Sequence, residues 1–358
     1  MDKAGGFAGR VLPHAGRRAR PGCKAVAATL GCALLLSGFG TGAALAQDTE
    51  PGKTKVSALI FLNASQKEPE NGDDNLNVDL KRFFVNVDHQ FNQDWSAHLT
   101  TDFQWQRYQD PTDLLFRHVY VQRRIGDNLR LRLGNAPDTW ILPLAEMTRY
   151  RYLDPGLIPM AGVGAPADWG VHLLGKSGPV SWTVAAVTGA GFQKPRTGDS
   201  PDFQARVSWE VAKGLQLHLG GYRGTLAQDK GDRPHHHTAQ RWNGAVTWTD
   251  GPWQVGAEYF HASNWRQVNR PQDDSANGAS AWGSYRFNPS YAVFLRHDSL
   301  DGSRELAPAN RREYSNVALE WRHSNNLRFS AAFKHIDNRT AAGRRIDNEF
   351  GIWALIRL

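Results

Sequence analysis

Ile346-Asp347-Asn348-Glu349-Phe350-Gly351-Ile352-Trp353-Ala354-Leu355-Ile356-Arg357-Leu358 closes the chain, and its alternation decides the fold. In an extended segment Phe350, Ile352, Ala354, Ile356 and Leu358 fall on one face, and Glu349, Gly351, Trp353, Leu355 and Arg357 on the other. The same period of two recurs at Phe203, Ala205, Val207, Trp209 and Val211 against Gln204, Arg206, Ser208 and Glu210. It returns at Leu327, Phe329, Ala331 and Phe333 against Arg328, Ser330, Ala332 and Lys334. One face is apolar and the other polar, with no sustained helical period beyond residue 46.

Working outward from that segment, sixteen such runs are predicted, near 54–65, 78–91, 94–107, 114–125, 127–136, 167–177, 178–190, 201–213, 214–226, 239–249, 251–263, 277–287, 289–299, 311–323, 325–337 and 346–358. The links between them alternate in length. Short turns stand at Asn92-Gln93-Asp94, Gly126-Asp127-Asn128, Ser177-Gly178-Pro179, Lys213-Gly214, Asp250-Gly251-Pro252, Asn288-Pro289 and Ser324-Asn325-Asn326, while the intervening links run from roughly six to thirty residues. A soluble sandwich has no reason to gather its short turns at one end; a transmembrane antiparallel β-barrel does, with tight periplasmic turns and long external loops. About 9 to 11 tilted residues cross the hydrocarbon, and closure satisfies every backbone group where water is absent. The fold class is therefore all-β.

Composition agrees. The chain of 358 residues has 13 Trp, 16 Phe, 9 Tyr and 35 Gly but 3 Met, a profile of strands and turns. A mean hydropathy of −0.52 fits no helical membrane protein. Residues 1–46 read as a signal peptide: a basic segment ending at Lys24, a small and apolar stretch from Ala25 to Leu45, then Ala44-Leu45-Ala46 before Gln47. The barrel is expected over 47–358, exported to the outer membrane and in contact with its lipid. Six basic residues in the leader against Asp2 account for +5 of the net +7, which removes the electrostatic footprint of nucleic-acid binding from the remainder. Cys23 and Cys32 also lie in the leader, so the barrel has no disulfide and no thiolate chemistry.

The longest link, 136–166, holds Trp140, Ile141, Leu142, Glu146, Arg149, Arg151 and Asp154 and is the main functional candidate. On the polar strand faces the basic residues are Lys55, Arg82, Arg130, Arg132, Lys176, Arg206, Arg241, Arg286, Arg296, Arg312, Arg322, Arg328, Lys334 and Arg357. They outnumber Asp88, Asp102, Glu210, Glu258, Asp298, Glu320 and Glu349 by fourteen to seven. That predicts a positive lumen suited to anions, Arg supplying a planar fork for oxyanions. Arg296, Arg312, Arg322, Arg328 and Arg357 are expected to form one basic strip, and each arginine alone reads equally well as a wall-stiffening salt bridge. Trp95, Trp182, Trp209, Trp242, Trp248, Trp253 and Trp321 read as interface belts. His235-His236-His237 reads as a solvated loop rather than a metal site, and no cofactor is implied. Neither a Gly-x-Ser-x-Gly elbow nor a His-Glu-x-x-His pair occurs, so no enzyme is indicated.

The runs Leu80-Lys81-Arg82-Phe83-Phe84-Val85-Asn86-Val87, Leu129-Arg130-Leu131-Arg132-Leu133-Gly134 and Asp168-Trp169-Gly170-Val171-His172-Leu173 resemble the phosphate-selective porin family. The resemblance implies a homotrimer of sixteen-stranded barrels passing anions along arginine and lysine side chains, with the third external loop folded inward. The loop departs from the family pattern in having no lysine cluster, offering Arg149 and Arg151 beside Asp138, Glu146 and Asp154. The expected function is passive diffusion of small hydrophilic solutes, anions favoured, with Arg82, Arg130, Arg132, Arg149, Arg151, Arg206, Arg296, Arg312, Arg322, Arg328 and Arg357 lining the pore. A structural or adhesive barrel with partner-binding loops, or a barrel hydrolase, is the alternative.

Overall fold

A computed structural model describes residues 50–70, 74–105, 114–141, 147–193, 196–231 and 236–358. The proposed leader, Leu142, Glu146 and His235 lie outside these residues. The first eight strands are β1 (Thr54–Pro69), β2 (Asn75–Gln90), β3 (Trp95–Trp105), β4 (Leu114–Ile125), β5 (Leu129–Pro137), β6 (Ala167–Ser177), β7 (Val180–Val187) and β8 (Asp202–Ala212). The second eight are β9 (Leu215–Gly224), β10 (Ala239–Asp250), β11 (Trp253–Ser263), β12 (Ser275–Asn288), β13 (Tyr291–Asp301), β14 (Arg311–Arg322), β15 (Leu327–Thr340) and β16 (Gly343–Arg357). Each pairs antiparallel with its neighbour in sequence, and β1 pairs with β16, so the sheet closes into a transmembrane antiparallel β-barrel.

Alternation places the side chains as their chemistry requires. Phe203, Val207 and Trp209 on β8, Leu295 on β13, and Phe350 and Ile352 on β16 are all exposed, facing where lipid replaces water. Gln204, Arg206, Lys334 and Trp353, one residue out of phase with them, are buried in the interior. Trp95, Trp209, Trp248, Trp253 and Trp321 are exposed on the outer surface close to the short turns, while Trp242 sits toward the long-loop end. Two girdles result, of the kind in which indole rings meet the headgroup level.

Strands and links differ from expectation on one side. β1 and β2 each run 16 residues and β16 runs 15, longer than the predicted segments. The link between β15 and β16, expected to be a longer external loop, is the two-residue turn Ala341-Ala342. The added length is polar: Asp337 takes Arg339 and Arg344, each at 3.0 Å, and Arg345 bonds Asp347 at 2.8 Å. Strand pairing continues there with the Asp337–Arg344 pair joining the two strands and the other two pairs running along them, in place of the apolar pattern by which the sequence reveals a strand.

Among the register shifts of the described strands, two β-bulges bear on the lumen. Phe61 pairs with Arg82 and Leu62 with Leu80, leaving Lys81 as the extra residue in β2. Thr100 pairs with His118 and Thr101 with Phe116, leaving Arg117 extra in β4. Each bulge turns two consecutive side chains inward.

Candidate pore site

The described residues of the longest link, 138–141 and 147–166, pack against inward-facing side chains of the barrel wall. Its first part buries Trp140 and Ile141 against Tyr222, Phe260, Trp265 and Val268. Its middle buries Tyr150, Tyr152 and Leu153 against Phe61, Phe84, Phe294, Trp353 and Leu355. The interior face is thus wet in part only: Trp353 and Leu355, on the face opposite the lipid, serve as the loop's seat. A short helix, α1 (Leu157–Ala161), follows.

A buried loop must find partners for its backbone groups, and the wall supplies them. Gln204 Oε1 accepts from the Thr139 amide at 3.1 Å, Arg206 Nε donates to Thr139 O at 2.8 Å, and Asn243 Nδ2 donates to Trp140 O at 3.3 Å. Lys81 and Lys334 both donate to Leu153 O, at 2.7 and 3.1 Å, and Arg296 Nη1 donates to Pro155 O at 2.6 Å. Tyr152 donates to Glu320 at 3.1 Å and shares a 2.6 Å hydrogen bond with Ser330. Asp154 anchors the turn of the loop: Lys334 Nζ lies 2.8 Å from it, Lys81 Nζ 3.6 Å, and Tyr314 donates at 2.6 Å. Burial alone would push the Asp154 carboxyl up, but the two ammonium groups and the tyrosine hydroxyl hold it well below the usual carboxylate range.

Beside the loop lies a cavity of about 920 Å³, lined by β1–β4 on one side and by residues of β8, β9, β10 and the links around them on another. Its charged lining comprises eight basic and six acidic residues, an excess of cations. The concentrated charge is a group of three guanidiniums around one carboxylate. Arg82 Nη1 bonds both oxygens of Asp102, at 3.1 and 3.2 Å, and Arg117 Nη1 bonds the same group at 3.1 Å. Arg151, from the loop, and Arg117 each lie 5.2 Å from the centre of the Phe84 ring. Asp102 is shared by Arg82 and Arg117, and with Arg151 beside them the three planar forks line the cavity, a geometry that suits oxyanions. Asp138 also lines the cavity; burial pushes its carboxyl up to about 7, against the Trp140 amide and Arg241, which pull it down.

Of the residues expected from the sequence, Arg82 and Arg151 line this cavity. Arg206 and Arg296 are turned to the loop's backbone instead, and Arg296 is further held by Asp298, both nearly fully buried. Arg132 donates to Gln122 at 2.8 Å and lies over the Tyr120 ring, and Arg130 faces Arg124 across the strand pair. Arg149, Arg322 and Arg328 gather beneath the loop at the short-turn end, where Arg357 also lies. The single basic strip is not formed: Arg312 and Arg322 share a strand ten residues apart, roughly 33 Å at 3.3 Å per residue, and Arg296 lies between them bound to the loop. Arg117 was invisible to alternation because counting by two from Tyr120 places Arg117 on the outer face. Lys81 was missed for the same reason, and only the bulges reveal them.

His236 and His237 donate backbone amides to Val268 O, and the His237 ring lies 3.0 Å from Asp273, as a packed polar loop would have it. Among the described residues no group of His, Cys, Asp or Glu is arranged to hold a metal ion.

No family model and no curated protein matches the chain. Solved structures do. The outer membrane channel DcaP of Acinetobacter baumannii is similar with a TM-score of 0.63 at 14% identity, over 86% of this chain and 98% of that one. The anion-selective porin from Comamonas acidovorans gives 0.63 at 11% identity, over 85% and 99%. A trimer form of OmpT, an outer membrane protein of Vibrio cholerae, gives 0.58 at 14% identity, over 85% and 99%. At such identities the likeness is one of fold, and the architecture of this chain is that of sixteen-stranded outer-membrane channels.

Proposed function

We propose that this protein is an outer-membrane porin whose water-filled lumen passes small hydrophilic solutes by diffusion, anions in preference, with no reaction catalysed. The observation that carries the reading is that Arg82 and Arg117 share the Asp102 carboxylate, with Arg151 beside them over the Phe84 ring, at a cavity that residues of the loop also line. Loop 138–166 acts as the constriction and sets the charge that a solute meets there. The likeness to solved outer-membrane channels, one of them titled an anion-selective porin, supports the same reading. Residues 1–46 act as the export signal, the short turns face the periplasm, and the barrel assembles as a trimer, as a structure of similar fold is titled. Preference for phosphate among anions is the finer part of the proposal and rests on the arginine forks.

Planar-bilayer recording of the folded barrel under a salt gradient tests it. An open channel with an anion-selective reversal potential is expected. A cation-selective current would overturn the charge argument, and a closed barrel would favour an adhesive or structural role for the external loops.

A further inference from the structure

The short-turn mouth carries a second concentration of positive charge, separated from the upper cavity by the loop. β14 ends in Arg322 and β15 opens with Leu327 and Arg328, and the strand register sets Arg322 directly opposite Arg328. Like charges so placed repel. Glu320 offsets one of them, lying 2.8 Å from Arg322 and 3.8 Å from Arg328, while it also accepts from Tyr152. A third guanidinium comes down from the loop at Arg149, whose φ of 59° lies in the left-handed region that non-glycine residues seldom occupy. Arg286 on β12 is the fourth; burial, then Arg286, Arg328 and Arg322 in turn, lower the Arg149 guanidinium from its ordinary range.

The four arginines surround a cleft of about 20 Å³, completed by Tyr150, Gln254 and Ser284. That is space for one or two oxygen-sized atoms. The Nε atoms of Arg322 and Arg328 are buried there with no hydrogen-bond partner among the described residues. Buried donors without acceptors are rare in folded proteins and call for a ligand. Arg357 stands apart from the ring, its Nη1 donating to Asn325 O at 3.1 Å. We infer that Arg149, Arg286, Arg322 and Arg328 form a stationary oxyanion site at the periplasmic mouth, taking one edge of an inorganic phosphate or similar oxyanion while the rest of the ion faces the open lumen. The inference rests on the anion-porin reading, and it adds a holding site to a pathway otherwise defined by its constriction.

Isothermal titration of the detergent-solubilised barrel with inorganic phosphate tests it, each variant being checked for folding by its heat-modifiable gel mobility. One phosphate per barrel is expected for the wild type. The Arg322→Gln/Arg328→Gln variant is expected to lose at least about tenfold in affinity, since two charge-assisted forks are removed, whereas Arg304→Gln, exposed in the link between β13 and β14, keeps binding within about twofold. Wild-type affinity in the Arg322→Gln/Arg328→Gln variant would overturn the inference. Absence of binding in the wild type would overturn it too. A cation-selective wild-type current in the bilayer experiment would instead defeat the porin reading, and that result is obtained without phosphate.

Discussion

Tyr314 of β14 donates its hydroxyl to Asp154 of loop 138–166 at 2.6 Å, and so fixes the carboxylate that also receives the buried ammonium of Lys334. The loop is thereby held by a charge at its own turn rather than by packing alone. Asp154→Asn leaves Lys334, itself 1% exposed, with Glu349 at 3.6 Å as its remaining acidic partner. Removing one member of a buried pair costs about 3–5 kcal/mol. The variant is expected to lose its folded gel band at lower temperature and to give noisier single-channel current. An unchanged melting temperature would mean that the backbone hydrogen bonds to Leu153 and Pro155 suffice. Because folding depresses the Asp154 carboxyl, its contribution is complete above the ordinary carboxylate range near 3.8 and is lost as pH falls toward the folded value.

On the proposed function, the cavity guanidiniums set the selectivity. Neutralising Arg82 or Arg151 with Gln removes one charge from a partly solvated passage, worth about 0.5–1 kcal/mol to an ion in transit. Each change is expected to lower the anion-to-cation permeability ratio about two- to fivefold, read from reversal potentials. Equal ratios in wild type and the double variant would exclude this group as the filter.

Selectivity should also respond to pH through Asp138. Its proton is lost near 7, and the charge that appears lines the same cavity. Anion preference is therefore expected to fall as pH rises from 6 to 8, by about twofold for one charge. Asp138→Asn should flatten that step; a step of full size in the variant would exclude Asp138 as its source. Stability follows the same sign, since the folded barrel holds this proton more tightly than the unfolded chain and loses stability between 3.8 and about 7.

Gly351 lies where β16 meets β1. A Cβ at this position would stand 2.3 Å from Ala64 O and 2.5 Å from Ser65 Cα, both backbone atoms with no freedom to move aside. Gly351→Ala is expected to part the strands locally and cost about 1–3 kcal/mol, measured as a lower temperature for loss of the folded band. Wild-type resistance would show that the seam can widen without penalty.

The barrel was legible because lipid enforces a period of two on each strand, and Phe203 to Val211 obey it without exception. The loop could be located from its length, and Trp140 and Ile141 from their size. What the sequence hides is register. Arg117 and Lys81 enter the lumen through bulges that depend on the neighbouring strand, and that Trp353 and Leu355, inward by alternation, are covered by the loop depends on a segment far away in sequence. Arg206 and Arg296 carry the same formal charge as Arg82 yet face backbone carbonyls of the loop, a distinction set by where the loop passes, which the alternation of one strand does not encode.

The seating of Tyr152 against Phe61, Trp353 and Leu355 has a bearing on assembly. Phe61 belongs to the first strand and Trp353 and Leu355 to the last, so the loop touches both edges of the sheet at the join where it closes. Before closure those edges carry rows of unpaired amides and carbonyls that hydrocarbon does not tolerate. In the closed barrel the loop bridges the two ends of the sheet, and an empty lumen would leave the join lined with apolar side chains facing water. A barrel with a displaced loop is expected to be less stable at this join than elsewhere around the sheet.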